Sequence, residues 1–183
     1  MEIDINSEWR ELENWITMIE DKDMMVELSI YMGRNKESFI SAPGSIAHHH
    51  AYEGGLLRHT NEVVRIAWEI AKTLFQEFNV LDDYIDFRNK VIIACVLHDV
   101  GKIQKYYRNY PSRAWVYCVN PHEHAQWVID NWKMNQKLEL DPDVIEAILT
   151  HHGGWSKTGV EMKKLLSAVV HSADLISSRF EEL

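Results

Sequence analysis

Seven consecutive apolar residues, Val91 to Leu97, run directly into His98-Asp99, and this junction constrains the fold more than any other stretch. The segment from about Asp83 to His98 carries Val91, Ile92, Ala94 and Cys95 around a helix, so it belongs at the centre of a bundle. An imidazole and a carboxylate at the mouth of a buried helix must be paired or bound to a metal ion, because leaving them bare there is costly. Seven residues are also too few for a membrane-spanning helix, which needs about 20.

The remaining sequence divides into helices at its turn signals. Trp9, Leu12, Trp15, Ile16 and Ile19 recur at helical spacing over residues 7–20. Met25, Leu28 and Met32 do the same over 22–32, with Gly33 as a stop. A loop marked by Pro43-Gly44 follows, then a long amphipathic pattern from about Glu53 to Phe78. Asn120-Pro121 and Asp141-Pro142 each put a capping residue before proline, opening helices that run to about Trp132 and His151. Thr158 and Glu161 form a capping box for a last helix to about Arg179. Residues 103–120 are the one stretch that admits a short hairpin. The expectation is an all-α fold in one compact domain, residues 1–38 being helices packed on a core of residues 39–183.

At 183 residues and 46 % apolar composition the chain is long enough for one sizeable core. Its net charge of −9 argues against binding duplex nucleic acid, while leaving room for a small anionic substrate held by a metal and a few cations. The N-terminus lacks the basic and apolar stretches of a signal peptide, and Cys95 and Cys118 cannot form a disulfide framework. A cytoplasmic location is expected. Ten histidines against two cysteines mean that any metal site here uses nitrogen and oxygen ligands.

Placement makes the histidines informative. Lys102 follows His98 by four residues and Asp99 by three, so all three share a face if the helical turn persists through Gly101. A cation beside a metal pair suits phosphoryl chemistry, which needs charge on non-bridging oxygens neutralised. His59, after Gly54-Gly55, reads by itself as a core histidine or a ligand. Asp174 continues the apolar stripe of Leu166, Val169, Val170 and Ala173, and is either a buried charge with a partner or a solvated acid. A charged His at position 151 or 152 would complement the helix dipole, which accounts for one of the pair only. His48-His49-His50 is internal and reads as a solvated loop, a support for other side chains or a substrate contact.

His59, His98-Asp99 with Gly101-Lys102, and Asp174 together resemble the ordered H…HD…D signature of the HD-domain metal-dependent phosphohydrolases. His122 and His151 resemble the extra ligands of the binuclear branch. Phe39 to Pro43, His49 to Thr60, Leu149 to Gly153 and His171 to Asp174 are similar to segments of HD-type 3′–5′ exoribonucleases. The first 38 residues read as helices where those enzymes carry a β-barrel, and no Gly-Tyr-Pro of the cyclic-di-GMP phosphodiesterases follows His151. Leu175-Ile176-Ser177-Ser178 stands where an acidic residue commonly follows the last Asp.

The resemblance implies a bundle that holds one or two divalent ions among Mn, Fe, Co, Ni and Zn. His59, His98, Asp99 and Asp174 take one ion, and His122 (rather than His124) and His151 take the second, with Asp99 bridging. A metal-bound hydroxide then cleaves a phosphoester of a small nucleotide or a single-stranded oligonucleotide end. Asp99 and Lys102 are the catalytic residues, and Lys102, His152 and His50 the substrate contacts. A di-iron oxygenase of the same superfamily and a non-catalytic nucleotide-binding module are the rival readings. Lys102 speaks against the first, and the intact ligand set against the second. Trp115 and Trp155, in expected loops near the motifs, are candidates for base stacking.

Overall fold

This computed structural model describes residues 3–46, 48–78, 84–104, 106–109, 114–117, 123–155 and 158–180, and among them the helix Tyr84–Leu97 is the buried centre of a seven-helix bundle. The helices are α1 (Ile5–Thr17), α2 (Lys22–Ser41), α3 (Gly55–Phe78), α4 (Tyr84–Leu97), α5 (His124–Asn135), α6 (Pro142–Thr150) and α7 (Leu165–Phe180). Short 3-10 turns occupy Val100–Gln104 and Gly153–Trp155. An antiparallel hairpin of β1 (Tyr106–Asn109) and β2 (Ala114–Tyr117) sits within the expected stretch, with Tyr106 opposite Tyr117 and Asn109 opposite Ala114. The fold is otherwise all-α. Among the described residues no helix is long and apolar enough to cross a membrane.

Every residue from Val91 to Leu97 is buried, as a helix apolar on all sides requires. α3, α6 and α7 pack directly on α4, and α1 and α2 lean on α3. Removing each large apolar side chain from water contributes about 1.5–3 kcal/mol, so this central helix anchors the others. Caps agree with their local sequence in three places. Asp4 caps α1, Asp21 caps α2, and Asp141 caps α6 with Pro142 at the first helical position.

Two expectations are corrected. Gly33 does not stop a helix, since α2 continues through it to Ser41. A glycine inside a helix costs about 1 kcal/mol, and the full burial of Phe39 one and a half turns later outweighs that. Thr158 and Glu161 do not form the last capping box either. α7 begins at Leu165, and its entrance is capped by Glu146 of α6, whose Oε1 accepts from the backbone of Lys163 and Lys164 and from Ser167 Oγ, each at 2.8 Å. An acceptor from a neighbouring helix leaves no trace in local spacing. The expected start at Asn120-Pro121 lies outside the described residues, and α5 is helical from His124.

Candidate metal centre

At the end of α4 the backbone tightens from α-helix into the 3-10 turn Val100–Gln104, with Asp99 just before it and Lys102 within it, the two paired. Asp99 is buried, and each carboxylate oxygen faces a different pair of imidazoles. Oδ2 lies 3.4 Å from His98 Nε2 and 3.6 Å from His59 Nε2. Oδ1 lies 3.0 Å from His124 Nε2 and 3.5 Å from His151 Nε2. Asp174 comes in from α7, with Oδ1 3.1 Å from His59 Nε2 and Oδ2 3.7 Å from His152 Nδ1.

Hydrogen bonds at the far side of the rings settle which nitrogen carries the proton. His98 Nδ1 donates to the Cys95 carbonyl at 2.7 Å, and His151 Nδ1 donates to the Ile148 carbonyl at 2.6 Å. A carbonyl only accepts, so in the neutral ring Nε2 keeps its lone pair. Yet His98 Nε2 stands 3.4 Å from His59 Nε2, and His124 Nε2 stands 3.3 Å from His151 Nε2. Where both nitrogens of such a pair present lone pairs they repel, and a cation between them would relieve that repulsion. The buried Asp99 carboxylate faces four imidazole nitrogens, with the Lys102 ammonium as its ion-pair partner. His59, His98 and Asp174 form one group of converging donors, and Asp99, His124, His151 and His152 another, with ligand atoms within 4.8 Å of one another in each. Nitrogen and oxygen donors in two adjoining groups suit two divalent transition ions.

Charge inside this pocket is strongly coupled. Burial pushes the Asp99 carboxyl up, but Lys102, His98, His124 and His151 outweigh it and hold Asp99 well below the usual carboxylate range. Asp174 is likewise held well down, burial being overcome by His152 and His59. Burial lowers the His59 imidazole, whereas Asp99 and Asp174 reverse that effect at His98 and raise it. Lys102, 6 % exposed, pairs with Asp99 and donates to the Gly44 carbonyl at 2.8 Å.

A cleft of about 450 Å³ opens over this centre, lined by His48, His49, Lys102, His152, Trp155 and Arg179 among others. Burial moves His49 down to about 3 and His152 down to about 4, so both rings are neutral at pH 7. Trp155, at 85 % exposure, stands at the rim.

His59, His98, Asp99, His151 and Asp174 thus come together as the motif suggested, with Lys102 and His152 beside them. His122 lies outside the described residues, and His124 is the histidine that meets Asp99 and His151. Gly101 makes this possible: a Cβ there would run into the backbone carbonyl of His124. Glycine therefore lets α5 press its first residue against the turn after α4. His50, expected at the substrate, is fully buried with Nε2 3.0 Å from Glu62 Oε2, and His48 and His49 line the cleft instead. Sequence reasoning also passed over Glu62 and Ser177. Glu62, three residues after His59 on α3, and Ser177, three after Asp174 on α7, were findable as one-turn neighbours of two motif residues.

A model of the HD domain matches residues 56–179, spanning every motif residue described above. The chain belongs to the HD domain family. The chain is 30 % identical over 142 residues to the dihydroneopterin 2',3'-cyclic phosphate phosphodiesterase of Methanocaldococcus jannaschii, an alignment covering 78 % of this chain and 53 % of that protein. The chain therefore spans about half the length of this curated relative. No solved structure matches the HD protein significantly.

Proposed function

We propose that this HD protein is a metal-dependent phosphohydrolase that cleaves a phosphodiester of a small nucleotide-like molecule. The observation that carries the reading is the Asp99 carboxylate, each oxygen of which serves one pair of inward-facing Nε2 atoms. His59, His98 and Asp174 would hold one divalent ion, His124 and His151 a second, and Asp99 would bridge them. Ions of this class, when bound, acidify water and neutralise phosphate charge.

The protein's own groups do the rest. Lys102 is held by Asp99 and the Gly44 carbonyl, and its ammonium has a third proton for a non-bridging phosphate oxygen. Held at two points, it meets the substrate without further ordering, which favours charge stabilisation in the transition state. His49 and His152, both neutral, offer hydrogen bonds to the phosphate or the leaving oxygen. A cleft of about 450 Å³ suits a mononucleotide-sized ligand better than a long strand. Trp155 at the rim provides a face for a flat heterocycle. A 2',3'-cyclic phosphate carrying a planar ring, the substrate class in the name of the relative from Methanocaldococcus jannaschii, combines both features.

The test is elemental analysis of protein purified without chelators, together with hydrolysis assays on nucleoside 2',3'-cyclic phosphates, a pterin cyclic phosphate and short RNA. About two metals per chain and turnover that falls roughly 10³-fold or more in Asp99→Ala are expected. A folded protein that takes up no Mn, Fe, Co, Ni or Zn and hydrolyses none of these substrates would overturn the reading.

A further inference from the structure

Three of the inward-facing histidines are aimed in two different ways. His98 and His151 each spend Nδ1–H on the carbonyl three residues earlier in their own helix, at Cys95 and Ile148. Any sequence supplies such a carbonyl. His59 has no such bond, and its Nδ1 lies 2.9 Å from Ser177 Oγ on α7 instead.

Ser177 Oγ is also 3.0 Å from Glu62 Oε2. A carboxylate only accepts, so the hydroxyl proton goes to Glu62 and the oxygen accepts Nδ1–H from His59. The direction of both bonds follows from that one fact. His59 and Ser177 are 0 % exposed, so water offers neither of them a substitute. Glu62 is held in turn from two further sides: His50 Nε2 is 3.0 Å from Oε2, and Arg58 Nε donates to Oε1 at 2.7 Å. Arg58 continues outward to Glu8 of α1, where Nη1 donates to Oε1 at 2.6 Å. Asn61 holds Glu8 by its Oε2 at 2.7 Å and its carbonyl at 2.9 Å.

We infer that Ser177 and Glu62 are positioning residues for metal binding, locking His59 in the Nδ1–H form so that its Nε2 lone pair points at the ion. The inference rests on the reading of His59 as a ligand. Without Ser177 the buried Nδ1–H has no acceptor, and the ring gains by moving its proton to Nε2, which then cannot ligate. Partners that orient a metal-bound histidine in this way typically change metal affinity by about 10–100-fold. The other two rings would not respond, because their acceptors are backbone.

Two measurements on the full chain test this. Histidine-¹⁵N NMR of the metal-free protein, with His59 assigned through His59→Asn, reads the tautomer directly. Mn²⁺ titration against a chromophoric chelator reads affinity. The wild type should show Nδ1–H at His59, and Ser177→Ala should lose that signature and bind one Mn²⁺ about 10-fold or more weakly. Ser177→Thr, which keeps the hydroxyl, should restore the signature. Glu62→Gln should weaken the same site, and the double variant should lose no more than the worse single one, since both act through one contact. An Nε2–H signal in the wild type, unchanged Mn²⁺ affinity in folded Ser177→Ala, or additive losses would overturn the inference. Should Ser177→Ala fail to fold, the wild-type tautomer and Glu62→Gln decide the matter. A wild type that shows Nδ1–H yet binds no Mn²⁺ would overturn the ligand reading, and this one with it.

Discussion

His124 Nε2 and His151 Nε2 stand 3.3 Å apart, and both lie within 3.5 Å of the same oxygen of Asp99. A shared cation would satisfy all three groups at that spacing, with both imidazoles presenting Nε2 lone pairs. His124→Ala should therefore remove one of two bound ions and lower kcat by roughly 10²-fold or more. His122→Ala is the comparison and should keep both ions. Metal counting on the two purified variants checks it, and the opposite result would return the ligand to His122.

Gly101→Ala tests the approach of α5. The added methyl meets the His124 carbonyl, and because that atom is backbone, the whole start of α5 has to retreat. A loss of about 1–3 kcal/mol in the stability of the metal-free protein is expected, with weaker binding of the second ion. An unchanged denaturant midpoint would show that the two segments are not in contact.

Acid should weaken the brace around Glu62. Burial raises that carboxyl, but His50 and Arg58 outweigh it and bring the pKa from 4.5 to about 2. A depressed folded value means the stabilisation is complete above pH 4.5 and disappears as pH falls towards 2. Its ceiling is about 3 kcal/mol. Urea midpoints of metal-free wild type and Glu62→Gln, taken from pH 6 down to 2, should converge over that window. Parallel curves would show that Glu62 is not held in its charged form.

Trp155 stands at the rim, 85 % exposed, and meets His152 through its backbone N–H, which donates to the His152 carbonyl at 3.1 Å, so truncating the side chain should alter binding rather than chemistry. Trp155→Ala should raise KM about 10-fold for a substrate with a flat heterocycle while leaving kcat in place. Its KM for bis-p-nitrophenyl phosphate, whose rings are smaller, should rise less. Equal effects on both would remove Trp155 from ring recognition.

Much of this could be seen in the sequence because its physics is local. A helix apolar on all sides has one place to go, so α4 and the His98-Asp99 pair at its end were legible from a single line of text. The caps at Asp141 and the hairpin stretch were legible for the same reason. What escaped notice depends on distant chain segments. The entrance of α7 is capped by Glu146 from another helix, and Gly33 is carried along by the burial of Phe39. His122 was preferred to His124 because the run His122-Glu123 resembles the family's position for that ligand, whereas the place of His124 beside Asp99 depends on the contact at Gly101. Ser177 looked like a missing acid in a family pattern, yet it receives one through space from Glu62.

The link from Glu8 to Arg58 has one more consequence. Glu8 precedes the segment 56–179 that the family shares, yet its carboxylate is the outermost member of a charged file that ends at His59. The span that the HD domain model matches and the network that braces His59 thus have different edges. Trimming this protein to residues 56–179 would leave every signature residue in place and still strip Arg58 of its outer counter-charge, loosening from afar the histidine that Glu8 never touches.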